Sequence, residues 1–349
     1  MFVLNPLPVP PEQNKQFRFF IQEHLLSEPV LHGGIGNKDI ESILLEHGWS
    51  QLRFRDHHNF SAAAKFRRLW QLGHLARTLP RGAEVLLQWP LYARMNRLLL
   101  QTLKRFRKDV RFICYVTDIN GIKDGNAELL GRELACFRMF DRFIAHNATM
   151  RAWLQEHFPE ACIATIDFFD FRALPSGSGR AKSMEIVFAG NLFKSGFLQE
   201  LPRYNTLTFH LFGEASSLLP QARNCVYHGA HEPARLPALL PGSFGLVWDG
   251  ESSTELKGPL GDYARYISPH KLSLFILAGL PIICHDESAA AALVARYGIG
   301  FSVPSLSNIG ARIAGMTDVK YAAMRNRMQP LAERISTGRC LLDALADLG

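Results

Sequence analysis

The chain has 349 residues, 47% hydrophobic and 20% charged, with 39 Lys/Arg against 32 Asp/Glu for a net charge of +7. That length exceeds one ordinary core and points to two domains, and the composition excludes a disordered chain. The opening "MFVLNPLPVPPEQNKQF" has no basic n-region and too many prolines for a signal peptide, and no apolar run could span a bilayer, so a cytoplasmic protein is expected.

Along the first half, "EVLLQW" (84–89), "VRFICYVTD" (110–118), "RFIAHN" (142–147) and "CIATID" (162–167) read as strands. Helices are expected near 60–78, 91–107, 126–139 and 148–156. In the second of these, Met95, Leu98, Leu99, Thr102, Leu103 and Phe106 recur at helical spacing. Basic residues fill its other side: from Arg94 to Arg111 seven of them face only Asp109. Such a face is either solvated or meets an anionic membrane surface or acceptor. No nucleic-acid partner is expected, because no nucleic-acid module accompanies the charge.

The Gly/Ser-rich "LPSGSGRAK" (174–182) is the linker between an N-terminal domain, 1–173, and a C-terminal domain, 183–330; a helix in 331–349 is expected to pack back on the first. The second half continues with strands "MEIVFAG" (184–190), "LTFHLFG" (207–213), "CVYHG" (225–229) and "FGLVWDG" (244–250). A helix follows in "ISPHKLSLFILAGLP" (267–281), then strand "PIICH" (281–285), a helix near 288–297 and "GIGFSV" (298–303). Alternating strands and helices define the fold class as α/β, with two doubly wound, Rossmann-like domains facing a cleft.

Ligands of such sheets bind beyond the carboxyl ends of the strands. That rule selects Gly190, Asn191 and Lys194 in "FAGNLFKS", Trp248, Asp249 and Gly250 in "WDGES", and Asp118 in "TDING". In the 267–281 helix, Ser268 reads as the N-cap, Pro269 as the first helical position and Gly279 as the stop. Lys271 then lies in the first turn, where the helix dipole favours negative charge. It is either a solvated surface lysine or, with Ser268, His270 and Lys194, half of a diphosphate clamp. Asp118 is a turn acid or a general base, and His146, beside the helix-capping Asn147, is a structural histidine or a second catalytic candidate. The six cysteines (114, 136, 162, 225, 284 and 340) include no CxxC pair, so free thiols and no metal site are expected, with "DHH" (56–58) a polar loop.

The run from "FAGNLFKSGFL" through "HLFGEA", "CVYHGAH" and "FGLVWDG" to "ISPHKLSLFILAGLPIICHDESAAAALVARYGIGFSV" resembles bacterial sugar-nucleotide glycosyltransferases of the two-domain GT-B type. Within them it is most similar to galactofuranosyltransferases and to glucosyltransferases that extend adhesin glycans. "GNKDIESILLEHGW" and "QWPL…VRFICYVTDING…FDRFIAHNATMRAWL" extend the resemblance into the first half. It implies a UDP-sugar donor held mainly by the second domain, with Lys194 and Lys271 at the diphosphate and no metal or other cofactor. The acceptor would be a saccharide on a lipid or a glycoprotein, and family members often form homo-oligomers. Broader retaining GT-B enzymes carry a glutamate three residues after the lysine, where this chain has Leu274. An inverting hexose transfer is therefore expected. A binding or regulatory subunit without turnover and a sugar-nucleotide epimerase are the alternatives.

Overall fold

The computed structural model describes residues 17–23, 34–54, 61–177 and 179–349, and the "DHH" stretch lies outside them. The first sheet comprises β1 (Arg18–Ile21), β2 (Ser50–Leu52), β3 (Glu84–Trp89), β4 (Arg111–Val116), β5 (Arg142–Ala145) and β6 (Cys162–Thr165). Its order is β2-β1-β3-β4-β5-β6, every pair parallel. The second comprises β7 (Glu185–Ala189), β8 (Thr208–Phe212), β9 (Cys225–Gly229), β10 (Phe244–Val247), β11 (Ile282–His285) and β12 (Gly300–Val303). Its order is β12-β11-β10-β7-β8-β9, again all parallel. Strand order reverses between β1 and β3 in one sheet and between β7 and β10 in the other, which is where a doubly wound sheet opens a crevice.

The helices are α1 (Ile35–Glu46), α2 (Ala62–Thr78), α3 (Arg94–Phe106), α4 (Asn120–Lys123), α5 (Ala127–Phe137), α6 (Ala148–His157), α7 (Leu236–Leu239), α8 (Gly258–Ala264), α9 (Lys271–Leu277), α10 (Ala289–Tyr297), α11 (Ile309–Ala314), α12 (Asp318–Ser336) and α13 (Arg339–Asp347). Strands such as "EVLLQW" are buried at every position because helices cover both faces of a parallel sheet. The central apolar cluster crosses both lobes. Phe168, Phe169 and Phe171 of the crossover pack in it with Val187, Phe275 and Leu277 of the second lobe and Phe20, Ile43 and Tyr115 of the first.

Several details depart from the sequence expectations. β1 and β2, only four and three residues long, carry too little pattern to be read. The chain's last segment is not one helix from 331: α12 begins at Asp318, passes through Pro330, and a turn at Gly338 starts α13. Asp170, just past β6, accepts the Cys340 and Leu341 N–H groups at 3.0 and 2.7 Å, fastening the start of α13 to the first lobe. On α3, Leu99 and Leu103 are buried as the periodicity requires, but Phe106 is 70% exposed.

Candidate active site between the two sheets

The loops leaving β4, β5, β7, β8, β9 and β10 converge on one cleft with two lobes. The larger lobe, about 420 Å³, is lined by Gly190, Asn191, Lys194, Phe212, His231 and Asp249, among others. The other, about 330 Å³, is lined by the start of α1, Asp118, His146, Tyr263, Ser268 and further residues. Lys123, Asp249, His270 and Lys271 line both, so the lobes are continuous.

Lys271 is positioned by two close approaches. A Cβ on Gly245 would sit 2.2 Å from the Phe275 ring, so glycine there lets α9 settle directly on β10. A Cβ on Gly190 would sit 2.9 Å from Lys271 Cε, so the bare backbone after β7 leaves room for the lysine. The Lys271 Nζ donates to Asp249 Oδ1 at 2.7 Å and to the Trp248 carbonyl at 3.2 Å, and lies 4.5 Å from the Phe188 ring centroid. The sequence left Lys271 without a partner. In the fold its partner is Asp249.

The start of this helix also differs. Helical structure begins at Lys271 itself, after His270, which makes no side-chain capping bond. Ser268 does not cap; it is buried, and its Oγ accepts from Asn147 Nδ2 at 3.0 Å. Gly279, at φ 64°, follows the helix end as expected. His270 is wedged against Phe169 and Phe171, and burial pushes its pKa down to about 4.

Asp118 stands across the cleft. Its Oδ2 accepts from Lys123 Nζ at 2.8 Å and its Oδ1 from the Tyr263 hydroxyl at 3.1 Å. Tyr263 also accepts the Ile119 N–H at 2.8 Å, so one side chain of the second lobe holds the acid and its turn. Beneath them buried Glu133 accepts from Trp89 Nε1 and from the Asn120 and Gly121 N–H groups. The Asp118 side chain remains 30% exposed, which leaves it open to a ligand. His146 is 2% exposed; its Nδ1 accepts the Ser268 N–H at 3.3 Å, and burial holds its pKa down near about 4. It is a neutral, weakly basic ring.

Two expected residues fall outside the cleft. The Trp248 ring is fully buried, donating to the Ser252 carbonyl at 2.9 Å, and only its own carbonyl reaches Lys271. Gly250 instead lines a neighbouring recess with Phe193, Lys194 and Glu251. Asn191 lines the cleft, but its Oδ1 is engaged by the Phe193 N–H at 3.0 Å, shaping the loop that carries Lys194. Sequence reading missed Lys123, Tyr263 and Glu133. "TDINGIKDG" advertises the first, but nothing in the sequence links Tyr263 to a partner 145 residues away. Of the cleft's charges, Lys123 is paired with Asp118 and Lys271 with Asp249, while Lys194 has no ion-pair partner among the described residues. Among the described residues the cleft lining therefore keeps one positive charge without an ion-pair partner.

Comparisons with known proteins agree with this architecture. A family model described as "Glucosyltransferase 3-like, N-terminal domain" matches residues 21–159, and "Glucosyltransferase 3-like, C-terminal domain" matches residues 186–348. The chain is 27% identical over 244 residues to the beta-1,6-galactofuranosyltransferase WbbI of Escherichia coli K12, covering 68% of this chain and 71% of that protein. It is 26% identical over 170 residues to glucosyltransferase 3 of Streptococcus gordonii, covering 46% of this chain and 50% of that one. Among solved structures, the sucrose-phosphate synthase of Thermosynechococcus elongatus superposes with a TM-score of 0.63 at 12% identity, over 95% of this chain and 99% of the other. Anabaena Alr3699/HepE, solved with UDP and glucose, superposes with a TM-score of 0.60 at 13% identity, over 95% and 98%. At such identities these likenesses speak for the fold, which is GT-B. With both family models matched across most of its length, the chain belongs to the glucosyltransferase 3-like family of glycosyltransferases.

Proposed function

We propose that the chain transfers a hexose (glucose, galactose or galactofuranose) from a UDP-sugar to a saccharide acceptor, with inversion at the anomeric carbon. The observation that carries this reading is the charge arrangement of the cleft: Lys194 and Lys271 on the donor side, Asp118 opposite. The diphosphate is the group the lysines suit, with Lys271 leaving Asp249 for phosphate oxygens when donor binds. Two cations at the leaving group can offset its developing charge without a metal ion, so transfer should persist in excess chelator. The acceptor hydroxyl attacks the anomeric carbon from the Asp118 side as the bond to the UDP oxygen breaks; its proton passes to the Asp118 carboxylate, and UDP leaves. His146 is enclosed, and its Nδ1 is engaged by the Ser268 N–H, so its part in this reading is to hold the Ser268 backbone rather than to take the proton.

The acceptor glycan is carried by a lipid or a glycoprotein and is met in the cytoplasm or at the inner face of its membrane. Free thiols at all six cysteines support a reducing compartment. The test is to incubate the protein with each UDP-hexose, with and without cell-derived glycans, and to follow both UDP release and the sugar product. Acceptor-dependent UDP release is expected. An altered nucleotide sugar with no transfer would indicate an epimerase, and binding without turnover a regulatory subunit.

A further inference from the structure

The outer surface of the first lobe carries a feature that the cleft chemistry does not use. Phe66, Leu69 and Trp70 lie at i, i+3 and i+4 on α2, the spacing of one helix face, and are 72%, 56% and 64% exposed. Another face of α2, with Leu72, Leu75 and Ala76, packs against the core, so this stripe faces outward, with Trp70 stacked on His74 of the same helix. Three large apolar side chains held together in solvent mark an interaction surface rather than scatter.

The surrounding charge says what kind. α2 and α3 pack together, and each carries four Lys/Arg and no Asp/Glu. Arg107, directly after α3, donates to the Ala76 and Pro80 carbonyls, which brings the carboxyl ends of the two helices side by side. Exposed Phe106 lies at that end. Lys65, Arg77, Arg94, Arg97, Arg105 and Lys108 are all exposed, and none forms an ion pair among the described residues. A second copy of the chain meeting this face two-fold would set cations against cations.

We infer that the α2–α3 face docks on an anionic phospholipid bilayer. Phe66, Leu69 and Trp70 enter the interfacial layer, and the flanking cations meet the headgroups. An apolar stripe bordered by lysine and arginine is what such a surface binds, through buried apolar area together with attraction to acidic lipids. No helix among the described residues is long and apolar enough to cross a membrane, so the contact is peripheral. The amino end of α3 lies at the carboxyl edge of the first sheet, the edge on which the cleft opens. There Asn96 donates to the Gln22 carbonyl just past the end of β1 at 2.8 Å, and the Ala93 N–H donates to Glu23 at 3.2 Å. A membrane-bound saccharide would thus reach the acid from the docked side. This inference deepens the membrane-side reading of the acceptor given above, but lipid binding is measured apart from transfer, so either can fail alone.

The experiment is co-sedimentation of the full chain with phosphatidylglycerol-containing vesicles and, in parallel, with pure phosphatidylcholine vesicles. Binding is expected only to the anionic vesicles, falling steeply toward molar salt, where the screening length is about 3 Å. Phe66→Ser combined with Trp70→Ser should weaken it at least tenfold, with the unfolding midpoint and UDP binding unchanged. Arg94→Glu combined with Arg97→Glu should weaken it similarly. Equal binding of wild type and variants, or binding indifferent to lipid charge, would overturn the inference. So would a wild-type oligomer that the Phe66/Trp70 variant breaks into monomers, since a second copy would then cover the stripe.

Discussion

At the scale of single residues, the cleft depends on a few charges whose partners come from distant chain segments. Lys271 has an alternative ligand in Asp249, so its contribution to donor binding is the difference between a phosphate contact and that ion pair. A charge-assisted bond is worth roughly 1.5–3 kcal/mol and the lost Asp249 pair offsets part of it, so Lys271→Ala should weaken UDP affinity by about tenfold, and by no more than about a hundredfold. Isothermal titration with UDP measures this, and unchanged affinity would reduce Lys271 to a structural partner of Asp249. Asp118→Asn tests the opposite wall. It keeps the shape and one acceptor oxygen but removes the basicity. Transfer should slow by about a hundredfold or more while UDP binding stays near normal. Because Asp118 also anchors Lys123 and Tyr263, a loss of both binding and folding would assign it to structure instead.

At the scale of elements, α13 shows how a buried carboxyl couples stability to pH. Burial raises the Asp170 pKa from 3.8 to about 7, although two backbone N–H groups of α13 favour its charged form. Burial likewise raises Asp39 to about 6. A carboxyl with a raised folded pKa binds more protons folded than unfolded, so it lowers stability as pH climbs from near 4 toward that pKa. His146 and His270, both held down to about 4, act with the opposite sign between there and 6.5. The net profile blends the two, so the informative quantity is a difference. Denaturant titrations of wild type and Asp170→Asn between pH 4 and pH 8 should show wild type losing ground to the variant up to about pH 7 and running parallel above it. Parallel profiles throughout would mean that Asp170 is already ionised at acid pH.

At the scale of the whole molecule, the two lobes share the apolar cluster built around Phe168, Phe169 and Phe171. Separate domains usually meet through smaller, more polar contacts and melt independently. Here the crossover phenylalanines and α13 tie both lobes to one core, so calorimetry should show a single unfolding transition. UDP at a hundred times its dissociation constant should raise the stability of that transition by about 2.7 kcal/mol. Two resolved transitions, only one of them moved by UDP, would show that the lobes unfold separately.

The sequence by itself determined what depends on neighbours along the chain. Strands such as "EVLLQW" and "RFICYV" are legible because their central positions are apolar toward both faces, as a doubly covered sheet requires, and "FAGNLFKS" and "WDGES" because glycines follow strand ends. From these came the α/β class and the edge of the sheets on which Lys194, Lys271 and Asp118 meet. Tertiary structure alone decided what those residues touch. Lys271 found Asp249, Asp118 found Tyr263, Trp248 turned into the core, and Ser268 gave up its cap to bind Asn147. The exposed stripe on α2 was equally hidden, because Phe66, Leu69 and Trp70 have the spacing of a buried helix face. Local pattern records periodicity and turn chemistry, whereas a side chain's partner and exposure depend on which surfaces meet when the two sheets close on one another.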